Sequence, residues 1–177
     1  YINKKKLKKD GLSKVFLAAQ FSSRKTKEVI LKYIPHQGEN EQIDHEVDIQ
    51  NSIENKYVMP LIDNFVLNSN YRVLVMEKGL GTLIDGFDTT DNFFKSLQHV
   101  YKMMYQITRG VKYLHENNIL HGDIKPSNIL IMDDNEHMPL IQIIDFGFSV
   151  QLPSSENPMC ECKNFSPEFA RLNFFAC

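Results

Sequence analysis

The apolar positions of the chain change period twice. Residues 1–7 and 15–20 are short β-rich runs separated by the polar stretch 8–14, which predicts two strands and a turn. Residues 28–34 form a third such run. Over residues 39–55 the spacing becomes helical, with Ile43, Val47 and Ile53 recurring along it. Residues 65–67 and 73–76 flank Asn68-Ser69-Asn70, the pattern of a hairpin. Gly79-Leu80-Gly81 marks a loop and a boundary. Residues 93–117 give the longest helical pattern, in which Leu97, Val100, Tyr101, Met104, Ile107, Val111 and Leu114 recur at three and four residues and are expected to face a core. Residues 129–132 and 141–144 read as two short strands around an acidic turn, and residues 148–165 are polar without a period.

Composition narrows the function classes. The chain has 177 residues, 42% of them hydrophobic, and a formal net charge of −2. That supports a globular core and gives no electrostatic bias toward nucleic acid or anionic membrane as partners. The basic run Lys4-Lys5-Lys6, Lys8-Lys9 reads as a solvated strand edge. No apolar stretch reaches membrane-spanning length, and no signal-peptide pattern opens the chain. Cys160, Cys162 and Cys177 do not form a disulfide framework, so free thiols and an intracellular setting, cytoplasm or nucleus, are expected.

The chemistry is concentrated in His121-Gly122-Asp123-Ile124-Lys125-Pro126-Ser127-Asn128 and, after the apolar run 141–144, in Asp145-Phe146-Gly147. Asp123 can accept the proton of an attacking hydroxyl, and Lys125 can neutralise charge on a transferring phosphoryl group. Asn128 and Asp145 can supply oxygen ligands to Mg²⁺. In this order the two stretches resemble the catalytic and metal-binding loops of the eukaryotic protein kinases.

That resemblance implies an α+β, bilobal protein-kinase-like fold. Residues 1–78 would be a β-rich N-lobe with one helix, the family's αC. Residues 79–177 would be the hinge and part of a mainly helical C-lobe, through the activation segment closed by Ser166-Pro167-Glu168. It implies ATP and Mg²⁺ as cofactors and a protein as substrate. Lys32, in Val29-Ile30-Leu31-Lys32, would hold the α- and β-phosphates, and Glu46 would pair with it. Val15, Ile30, Met76 and Leu130 would line the adenine site, with Met76 as gatekeeper. Glu77 and Gly79 would belong to the hinge, whose backbone groups hold the base.

Several positions depart from the family pattern. Lys8, Asp10 and Ser13 stand where the glycine-rich loop has its glycines, which predicts weaker nucleotide binding. Ile30 replaces a small residue above the adenine, and Gln50 replaces an apolar one on the αC helix. Glu161 falls where the activation segment has a threonine, and Gly122 where most protein kinases have an arginine that pairs with an activation-segment phosphate. Activity is therefore expected not to depend on phosphorylation of Ser149, Ser154 or Ser155; flanking regions or a regulatory partner on the Glu46 helix would exert control. The resemblance covers the chain but not a whole kinase domain. The absence of an initial Met and the stop at Cys177 therefore read as a fragment, expected to be poorly soluble and inactive alone.

Three functions remain open at this level. Lys125-Pro126 after Asp123 is the form typical of serine/threonine protein kinases. His-Gly-Asp is also common in small-molecule kinases of the aminoglycoside and choline type, although these lack Lys125-Pro126. The altered glycine loop, Gln50 and Glu161 suit a pseudokinase or scaffold, against which stands the complete set Lys32, Glu46, Asp123, Lys125, Asn128 and Asp145.

Overall fold

The structure is a computed structural model that describes residues 1–10, 13–22, 25–35, 41–88, 97–133 and 139–153. The chain divides into two compact units, Tyr1–Ser52 with Pro60–Lys78, and Ile53–Met59 with Gly79–Cys177.

The first unit is built on five antiparallel strands, β1 (Ile2–Asp10), β2 (Ser13–Phe21), β3 (Thr26–Pro35), β4 (Asp63–Leu67) and β5 (Tyr71–Glu77), in the order β1-β2-β3-β5-β4. Side chains alternate across a strand, so the register sorts them into two faces. Phe16 lies opposite Leu31, which lies opposite Val75. On this face Ala18, Val29, Leu31, Val73 and Val75 form the core, with Tyr33, Phe65, Leu67 and Tyr71 packed against it. Val15 and Leu74 flank Lys32, and Leu17 and Met76 flank Ile30, on the other face. Helix α1 (Glu41–Asn51) reaches that second face through the ion pair of Glu46 with Lys32.

Two expectations about this unit resolve differently. The β4–β5 turn is as the sequence suggests: Asn68 and Ser69 adopt φ of 50° and 54°, and Asn70 N–H donates to Leu67 O at 3.1 Å. Consecutive left-handed residues match the twist of a tight hairpin, and Asn tolerates that region better than most residues. The turn over residues 8–14 is not found. β1 and β2 stay paired through Lys8↔Val15, Lys9↔Lys14 and Asp10↔Ser13, with register shifts between Asn3 and Lys5 and between Lys6 and Lys8. β1 is an edge strand, so its ladder forms without burying both sides, and a run of lysines does not stop it.

The second unit contains β6 (Gly81–Thr82), α2 (Leu83–Asp88), α3 (Leu97–Glu116), β7 (Ile119–Leu120), a 3₁₀ turn (Pro126–Asn128), β8 (Ile129–Ile131), β9 (Ile141–Ile143) and β10 (Val150–Gln151). β6, β8 and β9 form one small sheet, and β10 pairs with β7. The pairing of Val150 with Leu120 and Gln151 with Ile119 gives structure to a stretch that has no period of its own.

The apolar stripe of α3 holds in its second half, where Leu114 is buried and Ile107 and Val111 are half-buried, and is corrected in its first. The buried positions are Met103, Gln106, Gly110 and Leu114, whereas Leu97, Tyr101 and Met104 are 77%, 74% and 53% exposed. Close approach decides this. A Cβ on Gly110 would come within 2.9 Å of Ile143 Cδ1 and 3.1 Å of Tyr57 O, so the helix lies down on its glycine side. Hydrophobic period ranks faces by apolarity and carries no information about where a backbone can come closest. Among the described residues no helix is long and apolar enough to cross a membrane.

Gln106 is fully buried and acts as a clasp. Its Nε2 donates to Pro139 O at 2.8 Å, and its Oε1 accepts from Ile141 N–H at 3.2 Å. Gln106→Leu keeps the volume and strands both backbone groups. A loss of about 3 kcal/mol is expected, at 1–3 kcal/mol per unsatisfied group. Urea unfolding of the two proteins measures it; an unchanged midpoint would show that the clasp contributes nothing.

Candidate active site

Each unit carries its own set of the residues singled out by sequence. In the first, alternation places Val15, Ile30, Lys32 and Met76 on one face, half-buried, with Ile30 directly opposite Met76. Lys32 Nζ lies 2.8 Å from Glu46 Oε1, and the two side chains are only 14% and 7% exposed. A pair this deep loses more hydration than a surface pair, and removing one partner leaves an uncompensated charge. Gln50, one turn on, is also buried. Glu77 turns to the opposite face, where its carboxylate meets Lys27 at 2.6 Å; Lys78 pairs with Glu28 at 2.7 Å.

In the second unit Asp123, Lys125 and Asn128 converge. Asp123 is 2% exposed, and Lys125 Nζ lies 2.7 Å from its Oδ2. Asn128 Nδ2 donates to the same Oδ2 at 2.8 Å and to Asp123 O at 2.9 Å. Both amide protons are thus committed, which leaves Oδ1 as the side chain's acceptor. Lys125-Pro126 enters the 3₁₀ turn with Pro at its first position, where the missing N–H costs nothing.

Asp145 is placed from two sides. Ile144 N–H donates to Asn128 O at 2.9 Å, which ties its strand to the end of the Asp123 loop. Asp145 itself sits at φ +72°, a left-handed conformation that turns the chain away from β9. Phe146 behind it is buried, with its ring edge-on to His121 at 4.8 Å. Gly122 sits at φ +77°, and a Cβ there would lie 2.5 Å from Phe148 O, so this loop conformation has no room for a side chain. Leu130 is half-buried on β8, and Gly79 packs on it so closely that a Cβ would meet Leu130 Cγ at 2.6 Å.

Two features escaped the sequence reading. Ser149, an available phosphate acceptor by sequence, is buried, and its hydroxyl donates to His121 O at 3.2 Å, so it is not open to modification in this conformation. Ser154, Ser155, Glu161, Ser166-Pro167-Glu168 and the three cysteines lie outside the described residues. His121 is the second feature. Asp123 N–H donates to its Nδ1 at 3.3 Å, and its Nε2 lies 3.1 Å from Ile144 O, which fixes the neutral ring with its proton on Nε2. A histidine beside the motif was the signal, but only its burial assigns it to holding the two loops together.

A family model for the protein kinase domain matches residues 1–171. Aurora kinase of Schizosaccharomyces pombe is 27% identical over 92% of this chain and 45% of its own length. Calcium-dependent protein kinase 4 of Plasmodium falciparum is 29% identical over 71% of this chain and 23% of its own, and serine/threonine-protein kinase 4 homolog B of Dictyostelium discoideum 28% identical over 70% and 11%. The chain belongs to the protein kinase family, and its five-stranded antiparallel sheet is that of a kinase N-lobe. It spans less than half the length of each of these relatives.

Burial pushes the His121 imidazole down from 6.5 to about 4, against the opposing pull of Asp145, the Ile144 carbonyl and Asp123. The folded ring is neutral where the unfolded one begins to protonate. Its contribution is therefore complete above pH 6.5 and is lost as pH falls toward 4, by about 3 kcal/mol in all. Denaturant unfolding in magnesium-free buffer at several pH values, for the wild type and His121→Gln, tests this. The wild type should lose about 3 kcal/mol more than the variant over that interval; parallel profiles would rule out a buried neutral ring.

Proposed function

We propose that the chain is the catalytic core of a serine/threonine protein kinase, which transfers the γ-phosphoryl group of ATP to Ser and Thr hydroxyls of protein substrates. The observation that carries this reading is the cluster around Asp123: a buried carboxylate held by Asn128 with a lysine at 2.7 Å. An ion pair that served stability alone would gain little from burial. Asp123 accepts the proton of the substrate hydroxyl, and Lys125 balances charge on the group in transfer. Lys32, oriented by Glu46, holds the α- and β-phosphates. Val15, Ile30 and Met76, on the first unit, offer the adenine an apolar face; the resemblance to the kinase family gives Leu130 an apolar contact with it and gives the backbone at Glu77 and Gly79 its edge.

The donor set suits Mg²⁺. One carboxylate, on Asp145, and one amide oxygen, on Asn128, are what an ion shared with substrate phosphates asks of the protein. Bound ATP and Mg²⁺ supply the phosphoryl group and its charge neutralisation; the chain's own residues orient the hydroxyl and take its proton. The Lys8–Ser13 sequence argues for weak nucleotide binding, and Gly122 for activity independent of activation-segment phosphate. Control then falls to flanking regions or to a partner on α1.

Asp145→Ala is expected to abolish Mg²⁺-dependent phosphorylation of a generic protein substrate by the full-length protein. Asp123→Ala should lower kcat by about 10²–10⁴-fold with nucleotide affinity nearly unchanged. Wild-type turnover in Asp145→Ala would remove the assignment, and phosphorylation of choline or an aminoglycoside in place of protein would redirect it. Separately, glycine at both Asp10 and Ser13 should tighten ATP binding while leaving adenosine unaffected, as isothermal titration reads directly.

A further inference from the structure

The face of the N-lobe sheet that turns away from Lys32 is aromatic. Phe16 meets Tyr33 edge-on at 5.0 Å, Tyr33 meets Tyr71 at 6.0 Å, and Tyr1 stacks on Phe65 at 5.9 Å. Between these rings opens a cavity of about 440 Å³, lined by Tyr1, Leu31, Tyr33, Phe65 and Leu67. That volume is in the range of sites that take a ligand-sized apolar group, and a lining of rings favours another ring in offset or edge-on contact.

The charge around the cavity is biased. Lys14 Nζ lies 5.2 Å above the Tyr71 ring and 3.1 Å from its hydroxyl. Lys6, exposed, stands opposite Phe16 in the register and so shares this face. Among the described residues on this face Glu77 is neutralised by Lys27, whereas Asp63, which accepts from the neutral Tyr1 hydroxyl at 3.0 Å, keeps its charge, so two cations stand against one uncompensated anion. The balance of charge on this face, Lys6 and Lys14 against Asp63, therefore favours an arriving carboxylate over an arriving cation.

We propose that this face is a docking site for a partner protein that inserts one aromatic side chain flanked by carboxylates. The inference stands apart from the catalytic reading, because no residue in it belongs to the set around Lys32 or Asp123.

These 177 residues contain no Trp, so the indole of a peptide probe reports on this face without interference from them. The probe is the acetylated, amidated peptide Glu-Asp-Trp-Asp-Glu. A saturable blue shift of its emission is expected, with a much weaker one for Lys-Lys-Trp-Lys-Lys. Leu67→Glu, which fills and charges the cavity, should weaken the acidic peptide about tenfold or more. Lys14→Glu, which leaves the apolar lining intact, should weaken it about threefold. Absence of a shift, an equal response to the basic peptide, or unchanged affinity in both variants would overturn the proposal. So would light scattering that shows a dimer whose formation excludes the peptide, since a second copy would then be the occupant.

Discussion

The second unit depends on one short backbone strap. Ile143 N–H donates to Tyr57 O, and Met59 N–H donates to Ile143 O, both at 2.9 Å, with Tyr57, Val58, Met59 and Ile143 all buried. The strap stitches β9, which leads into Asp145, to the segment Ile53–Met59. α3 closes over it at Gly110, and the Tyr113 hydroxyl accepts from Glu54 N–H at 2.8 Å. A buried backbone group without a partner is costly, so this crossing is held in one register. The direction of the chain into Asp145 follows from it.

Polar groups buried at functional sites come at a cost in stability, and this protein limits that cost by pairing nearly all of them. Lys32 has Glu46, Asp123 has Lys125 and Asn128, and His121 has a backbone partner on each nitrogen. The phosphoryl transfer proposed above would draw mainly on positioning and electrostatics, and both need charges that are already fixed in place. Desolvation makes such charges effective, and the hydrogen bonds around them make them tolerable.

The strands of the N-lobe, the β4–β5 hairpin and the long helix were legible in the sequence because each rests on local rules. A β-rich run predicts β3 through Val29, Ile30, Leu31 and Lys32, and Asn68-Ser69-Asn70 predicts the turn between β4 and β5. Asp123, Lys125, Asn128 and Asp145 could be named as candidates because a catalytic loop packs its chemistry into a few consecutive residues. What the sequence could not supply was anything set by a distant neighbour. The extent of β1 comes from its partner β2, since the lysines alone favour solvent. Val150 and Gln151 became a strand because Ile119 and Leu120 offered an edge.

α3 shows the division most clearly. Its seven apolar positions determined that a helix would form there, since a 3.6-residue period is a property of the chain itself. Which side would be buried was decided by Gly110, whose missing side chain lets Tyr57 and Ile143 come within touching distance, and by Gln106, whose amide completes the hydrogen bonding of Pro139 and Ile141. The same holds for His121 and Ser149. Their chemistry is written in the sequence, but whether an imidazole is a buried brace or a titrating group, and whether a hydroxyl is an acceptor site or a structural donor, depends on the atoms that surround it, and those arrive from other parts of the chain.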